Sequence, residues 1–271
     1  MDRWALVTGA TSGMGWEYTC QLAAKGCNVL MVSNQAEALA SQPAEVSGRY
    51  GVQVVGRYAD LAEPSSAREL YDWCASQGME IDLLVCNAGM FFFGELSPAL
   101  HGKAEAMLQL HVMTTSRLCM LFAEDMKRRR RGHIIVVSSL TASIVAPGIT
   151  VYSATKAYLK TFSKSLYYEL RPYGVGVTTV VPGAIATPLY GMKPSFERVA
   201  LAVGLIRKPR WLVRRALRGM RCGRSVVRPG ALNYLLPLLV GLLPKALETR
   251  IWMSLGSLAK QPQHSVEDGE R

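Results

Sequence analysis

Tyr152 and Lys156 stand four residues apart in the order Tyr-Ser-Ala-Thr-Lys, and on a helix that spacing stacks both side chains on one face, one turn apart. A phenol titrates near ~10 and is a poor proton donor or acceptor at neutral pH unless a neighbouring cation favours its ionised form. Lys156 supplies that cation. Ser139 closes an apolar run 13 residues before Tyr152, and the loop between them can bring both hydroxyls to one carbonyl oxygen. The serine then fixes the oxygen while Tyr152 exchanges the proton. Tyr158, Tyr167 and Tyr168 share the segment but have no lysine four positions on, so the pairing isolates Tyr152.

A second constellation suits a nucleotide. Thr8-Gly9-Ala10-Thr11-Ser12-Gly13-Met14-Gly15 lies between an apolar run and a helical segment, with the spacing GxxxGxG. At such a junction, backbone N–H groups and the positive end of the helix face a diphosphate, and glycine permits its close approach. An acid at the end of the following strand would bind both ribose hydroxyls and repel a 2′-phosphate. This chain has Ser33-Asn34 there, and Glu37 is too far into the next segment to substitute, so NADP(H) is favoured over NAD(H).

The elements that must position these groups alternate along the chain. Residues 4–7, 28–32, 52–58, 82–86, 133–138 and 175–181 read as apolar, β-branched strands, and 14–25, 65–76, 105–130 and 152–171 as helices. The stretch after 32 is polar and broken by Pro43. Six such units in series predict an α/β fold with a doubly wound parallel sheet, Rossmann-type, in three α/β/α layers. No repeat or linker divides it, so residues 1–260 are expected to form a single domain, followed by a polar tail at 261–271.

Composition excludes several classes. With 271 residues, 49% hydrophobic and 19% charged, the chain is neither disordered nor collagenous. The six cysteines form no CxxC pair and read as reduced thiols of a cytoplasmic protein, and His101, His111, His133 and His264 have no ligand spacing, so no metal is expected. The net charge of +11 is local: nine of the 31 basic residues lie between Arg207 and Arg228 with no acid among them. The remainder carries 22 basic residues against 20 acidic ones.

In this combination the chain resembles the classical short-chain dehydrogenase/reductase family over about residues 3–190. The resemblance rests on TGATSGMG at 8–15, Asp60-Leu61, Asn87-Ala88-Gly89, Ser139, Tyr152-Ser-Ala-Thr-Lys156, and Pro182-Gly183 with Thr187. It implies that Asp60 and Leu61 flank the adenine, Asn87 fixes the fourth strand, and Pro182 to Thr187 lies against the nicotinamide. It further implies a homodimer or homotetramer joined through the helices at 105–130 and 152–171, and a substrate lid at about 188–210. One position departs from the pattern. Many members carry Asn-Val on the long helix, where the asparagine holds a proton-relaying water, and this chain has His111-Val112. A charge beside Lys156 would be unfavourable, so a neutral imidazole filling the asparagine space is the preferred reading, and His111→Asn then retains or raises turnover.

The expected activity is NADP(H)-dependent reduction of an apolar ketone, 3-oxoacyl or steroid-like, or oxidation of the alcohol in reverse. A non-catalytic dinucleotide sensor or scaffold is the alternative, with His111 as its one hint. The basic and apolar extension at 207–260 has three readings: a solvated face, a peripheral membrane contact, or a dock for an acidic acyl carrier. No nucleic-acid motif accompanies it.

Overall fold

The computed structural model describes residues 4–94, 97–144, 147–183, 207–230 and 232–242, and beyond these 244, 246, 247, 249 and 250. Seven parallel strands among them form one sheet in the order β3-β2-β1-β4-β5-β6-β7. These are β1 Trp4–Thr8, β2 Asn28–Ser33, β3 Val54–Tyr58, β4 Ile81–Cys86, β5 Gly132–Val137, β6 Val175–Val180 and β7 Val226–Val227. Parallel neighbours require crossovers, and helices supply them on both faces.

Side chains alternate along each strand, so every strand feeds two cores. Leu6, Leu30, Ile134 and Val136 point to one face, where they pack with Leu70 of α3 (Ser66–Ser76), Leu118 and Phe122 of α5 (Thr115–Arg129), and Leu159 and Leu166 of α6 (Thr150–Leu170). Val7, Val29, Met31, Ile135 and Val137 point to the other. There they meet Tyr18 and Leu22 of α1 (Gly13–Ala23), Val46 of α2 (Ala36–Tyr50), and Leu212 and Leu217 of the helix Pro209–Arg221, here α7. Coverage of both faces explains the near-continuous apolar runs of the central strands, and gives the three-layer doubly wound fold.

The winding reverses at β1. β2 and β3 lie to one side of it and β4 to the other, with Val7 opposite both Met31 and Val85. The loops leaving β1 and β4 therefore part above the sheet and open a crevice at the carboxyl ends of the strands.

Three elements differ from expectation. Pro43 does not break the chain but sits inside α2, where its ring lies over Gly56 of β3; a Cβ on Gly56 would come within 3.0 Å of the ring. The helix expected over 105–130 is instead α4 (His101–Leu108), a π-helical turn at Gln109–Thr114, and α5. β7, only two residues long, was not apparent in the sequence because its pairing with Thr179 and Val180 of β6 defines it. The apolar run at 229–244 contains a short helix, α8 (Leu232–Gly241), and among the described residues no helix is long and apolar enough to cross a membrane. Thr187, the expected lid from 188 to 206 and the tail at 261–271 lie outside the described residues.

Candidate active site

The chain turns from β1 into α1 through Gly9, at φ +62, and Gly13, at φ +53, a left-handed region that glycine adopts without steric cost. Gly15, the first turn of α1, lies against this loop so closely that a Cβ would sit 1.8 Å from the Gly9 carbonyl oxygen. The loop is pinned from β4. The Thr8 hydroxyl donates to the Val85 carbonyl and accepts from the N–H groups of Asn87 and Ala88, while the Asn87 amide donates to the carbonyls of Thr8 and Gly9 at 3.0 and 3.3 Å.

Gly9, Thr11, Ser12, Gly13, Met14, Ser33, Asn34, Asp60, Leu61, Asn87, Ala88 and Gly89 together line one cleft of about 560 Å³ at the switch point. Gln35, Ala59, Met90 and Leu110 line it as well, none of which the sequence had singled out. At the end of β2, Thr11 Oγ1 donates to Gln35 Oε1 (2.6 Å) and bonds Ser33 Oγ (2.8 Å), which fixes the hydroxyls facing that end of the cleft. Asp60 is the one charged side chain among the described lining residues, and its Oδ1 accepts the Ala62 N–H. The cleft fits a dinucleotide by two features. Its glycine arch has no room for a Cβ, and the buried Oδ1 of Asn87 has no partner among the described protein atoms.

The proton-transfer set adjoins this cleft. The end of β5 is tied to α6 because Ser138 Oγ donates to the Lys156 carbonyl at 2.7 Å and Lys156 Nζ donates to the Val137 carbonyl at 3.2 Å. Ser139 Oγ accepts from both the N–H and the hydroxyl of Thr141, so its own proton remains to be donated. Pro182, leaving β6, accepts the Leu140 N–H through its carbonyl oxygen and so stands beside Ser139. Lys156 Nζ lies 5.6 Å from the centre of the Tyr152 ring, and burial lowers its pKa to about 8. A Cβ on Gly89 would come within 3.6 Å of that ammonium. Gly89 therefore joins the nucleotide cleft to Lys156, whose other neighbour is the Tyr152 ring.

The family model described as short chain dehydrogenase matches residues 3–197. The chain belongs to the short-chain dehydrogenase family. It is 32% identical over 206 residues to the very-long-chain 3-oxoacyl-CoA reductase of Anas platyrhynchos, covering 73% of this chain and 65% of that protein. It is 32% identical over 193 residues to the 17-beta-hydroxysteroid dehydrogenase type 3 of Mus musculus, covering 70% and 62%. The chain thus spans about three fifths of the length of these relatives. Among solved structures, a 7beta-hydroxysteroid dehydrogenase superposes with a TM-score of 0.82 at 25% identity, covering 93% of this chain and 96% of that one. A short-chain dehydrogenase from Sphingobium yanoikuyae in complex with NADPH does so at 0.76 and 24% identity, over 99% of each, a likeness of fold.

Within this short-chain dehydrogenase His111 is fully buried in the π turn and doubly bonded. The Met90 N–H donates to Nε2 at 3.0 Å, which leaves the ring proton on Nδ1, 2.9 Å from Thr155 Oγ1. Thr155 passes its own proton to the Tyr152 carbonyl at 2.8 Å. Burial first, and the Lys156 charge second, hold the imidazole well below its usual pKa, so the ring is neutral.

An apolar wall surrounds the phenol. Phe92, Met107, Ile149 and Tyr152 form a buried cluster joined by Phe91, Phe93 and Leu100. The Phe91 ring meets Tyr152 edge to face at 5.0 Å, and Gly94 bonds the Gly148 carbonyl, closing the wall beside Phe93. The pocket segment expected after Thr187 lies outside the described residues up to 206, and the sequence reading did not single out Phe91-Phe92-Phe93. Three consecutive phenylalanines directly after Asn87-Ala88-Gly89 were the available signal.

Proposed function

We propose that this chain is an NADP(H)-dependent oxidoreductase that reduces an apolar ketone, 3-oxoacyl or steroid-like, to its secondary alcohol, or runs the reverse oxidation. The observation carrying this is that Lys156, beside the Tyr152 ring, meets the glycine-arched cleft at Gly89. A bound nicotinamide dinucleotide would supply the hydride. Gly9, Thr11, Ser12, Gly13, Met14 and Gly15 would hold its diphosphate through backbone N–H groups and the α1 N-terminus. Asp60 and Leu61 would take the adenosine end, and Asn87, Ala88 and Gly89 the nicotinamide end, where the family resemblance also puts Pro182 to Thr187.

Ser139 donates its spare proton to the carbonyl oxygen and holds it in place. Tyr152 gives the oxygen its proton during reduction and removes it during oxidation. Lys156 stabilises the resulting phenolate as a neighbouring cation. His111 acts as a positioning residue, fastening the cleft loop at Met90 to the helix that carries Tyr152.

The wall of Phe91, Phe92, Leu100 and Ile149 supports a bulky apolar substrate, as do the names of the relatives. Preference for NADP(H) rests on the end of β2, where Ser33, Asn34 and Gln35 offer hydroxyl and amide groups and no carboxylate opposes a 2′-phosphate. We assign the chain to the cytoplasm, as a homodimer or homotetramer. The test is cofactor oxidation with long-chain 3-oxoacyl thioesters, bulky ketones and small polar ketones. Turnover confined to apolar substrates, with NADPH bound more tightly than NADH, is expected. Turnover of small polar ketones alone overturns the substrate class, and tighter NADH binding overturns the cofactor preference.

A further inference from the structure

The basic run at 207–228 plays no part in the site above, and its arrangement gives it a separate character. On α7, Leu212, Val213, Ala216 and Leu217 are buried against α1 and the sheet, while Arg210, Arg214, Arg215, Arg218 and Arg221 are exposed on the opposite side. Arginines at three- and four-residue spacing repel one another. Among the described residues none of them has an acidic partner within ion-pair distance, and α1, which packs on α7, contributes one acid, Glu17, bonded to Gln21. The contrast with Arg128-Arg129-Arg130-Arg131 is direct: there Asp125, Glu80 and Asp82 neutralise three of the four arginines.

Among the described residues, charge without an acidic partner extends to Arg228, which follows Val227, the β7 residue that packs on Gly219 of α7. Arg228 stacks on Tyr234 of α8 at 5.6 Å, and it lies near enough to Lys160 of α6 that, with Lys164, it lowers that lysine's pKa after burial. Tyr234 and Leu235 are each 54% exposed, and Leu242 beyond them is more so. A second copy of the chain does not suit this face, because a two-fold contact would set arginine against arginine. A polyanion alone would neutralise the charge but leave the leucines in water. An anionic interface with an apolar layer beneath it meets both needs.

We propose that the α7 face and the adjoining turn of α8 dock on an anionic lipid bilayer, with the arginines on headgroup phosphates and Tyr234, Leu235 and Leu242 in the interfacial layer. The inference is independent of the substrate assigned above. It is tested by flotation of the full chain with vesicles of phosphatidylcholine alone or mixed with phosphatidylglycerol. Binding to the mixed vesicles only, weakening as salt rises, is expected. The triple variant Arg214→Gln, Arg218→Gln, Arg221→Gln binds on the order of a hundredfold more weakly, at roughly fivefold per arginine, with its melting temperature unchanged. Arg128→Gln with Arg131→Gln, at ion-paired positions, binds as wild type. Equal binding to both vesicles, no binding to either, or an unaffected triple variant would overturn the proposal. So would double-stranded DNA that, at equal phosphate, releases the protein from vesicles completely.

Discussion

At Gly89 two buried nitrogen-bearing side chains meet, Lys156 and His111, and their surroundings leave the first charged and the second neutral at pH 7. That division of charge has a measurable consequence. Burial lowers the Lys156 pKa from 10.5 to about 8 in the folded chain. Below about pH 8 both folded and unfolded states hold the proton, and the cost of burying the ammonium is present in full. Between about 8 and 10.5 only the unfolded state holds it, so stability rises with pH, by about 3 kcal/mol, and levels off above 10.5. The proposed activity is expected to move the other way, because the cation beside Tyr152 is lost over the same range. Denaturant unfolding of the cofactor-free protein across this range, with Lys156→Met as reference, is expected to show the rise in wild type only. The kcat/KM profile for ketone reduction is expected to fall above about pH 8.

The π turn at Gln109–Thr114 is the element that decides how cleft and catalytic helix are held together. An extra residue in a helical turn is favoured where a side chain inside the fold rewards it, and His111 does so by bridging Met90 and Thr155. His111→Leu keeps the volume but leaves the Met90 N–H without its acceptor, a loss of about 1–3 kcal/mol. Equilibrium unfolding should register that loss, and an NADPH titration should show weaker binding. His111→Asn, which restores a polar side chain, should keep its turnover; a large fall in kcat with unchanged affinity would mean that the imidazole itself is required. The glycine arch and the Tyr152–Lys156 pair were legible in the sequence because each depends on spacing within a single element or junction. The π turn, β7 and the tolerated Pro43 were not, since each depends on a distant partner: Met90 and Thr155, β6, and Gly56. The aromatic wall was missed for the same reason, because Phe91 joins the site through Tyr152, 61 positions further along the chain.

At the scale of the whole molecule, two surfaces of the described residues contrast, an arginine face on α7 and an apolar one on α5 and α6 with the turn between α4 and α5. Met113, Met120, Tyr158 and Tyr168 are exposed on the latter. A patch of this kind on the two helices behind the active site suits an isologous contact, which underlies the proposed dimer. Met120→Glu would place like charges across the two-fold axis, so light scattering should show the mass falling to that of one chain, 29.7 kDa, with the melting temperature lowered. An unchanged mass would move the interface elsewhere. The proposed chemistry depends most directly on one oxygen atom, the hydroxyl of Tyr152, which Tyr152→Phe removes while leaving the ring against Phe91 and Lys156. The decisive measurement is turnover of an apolar ketone by that variant alongside its affinity for NADPH. A fall in kcat of at least about a hundredfold, with affinity within a few-fold of wild type, is expected. Turnover near that of wild type would contradict the proposed chemistry.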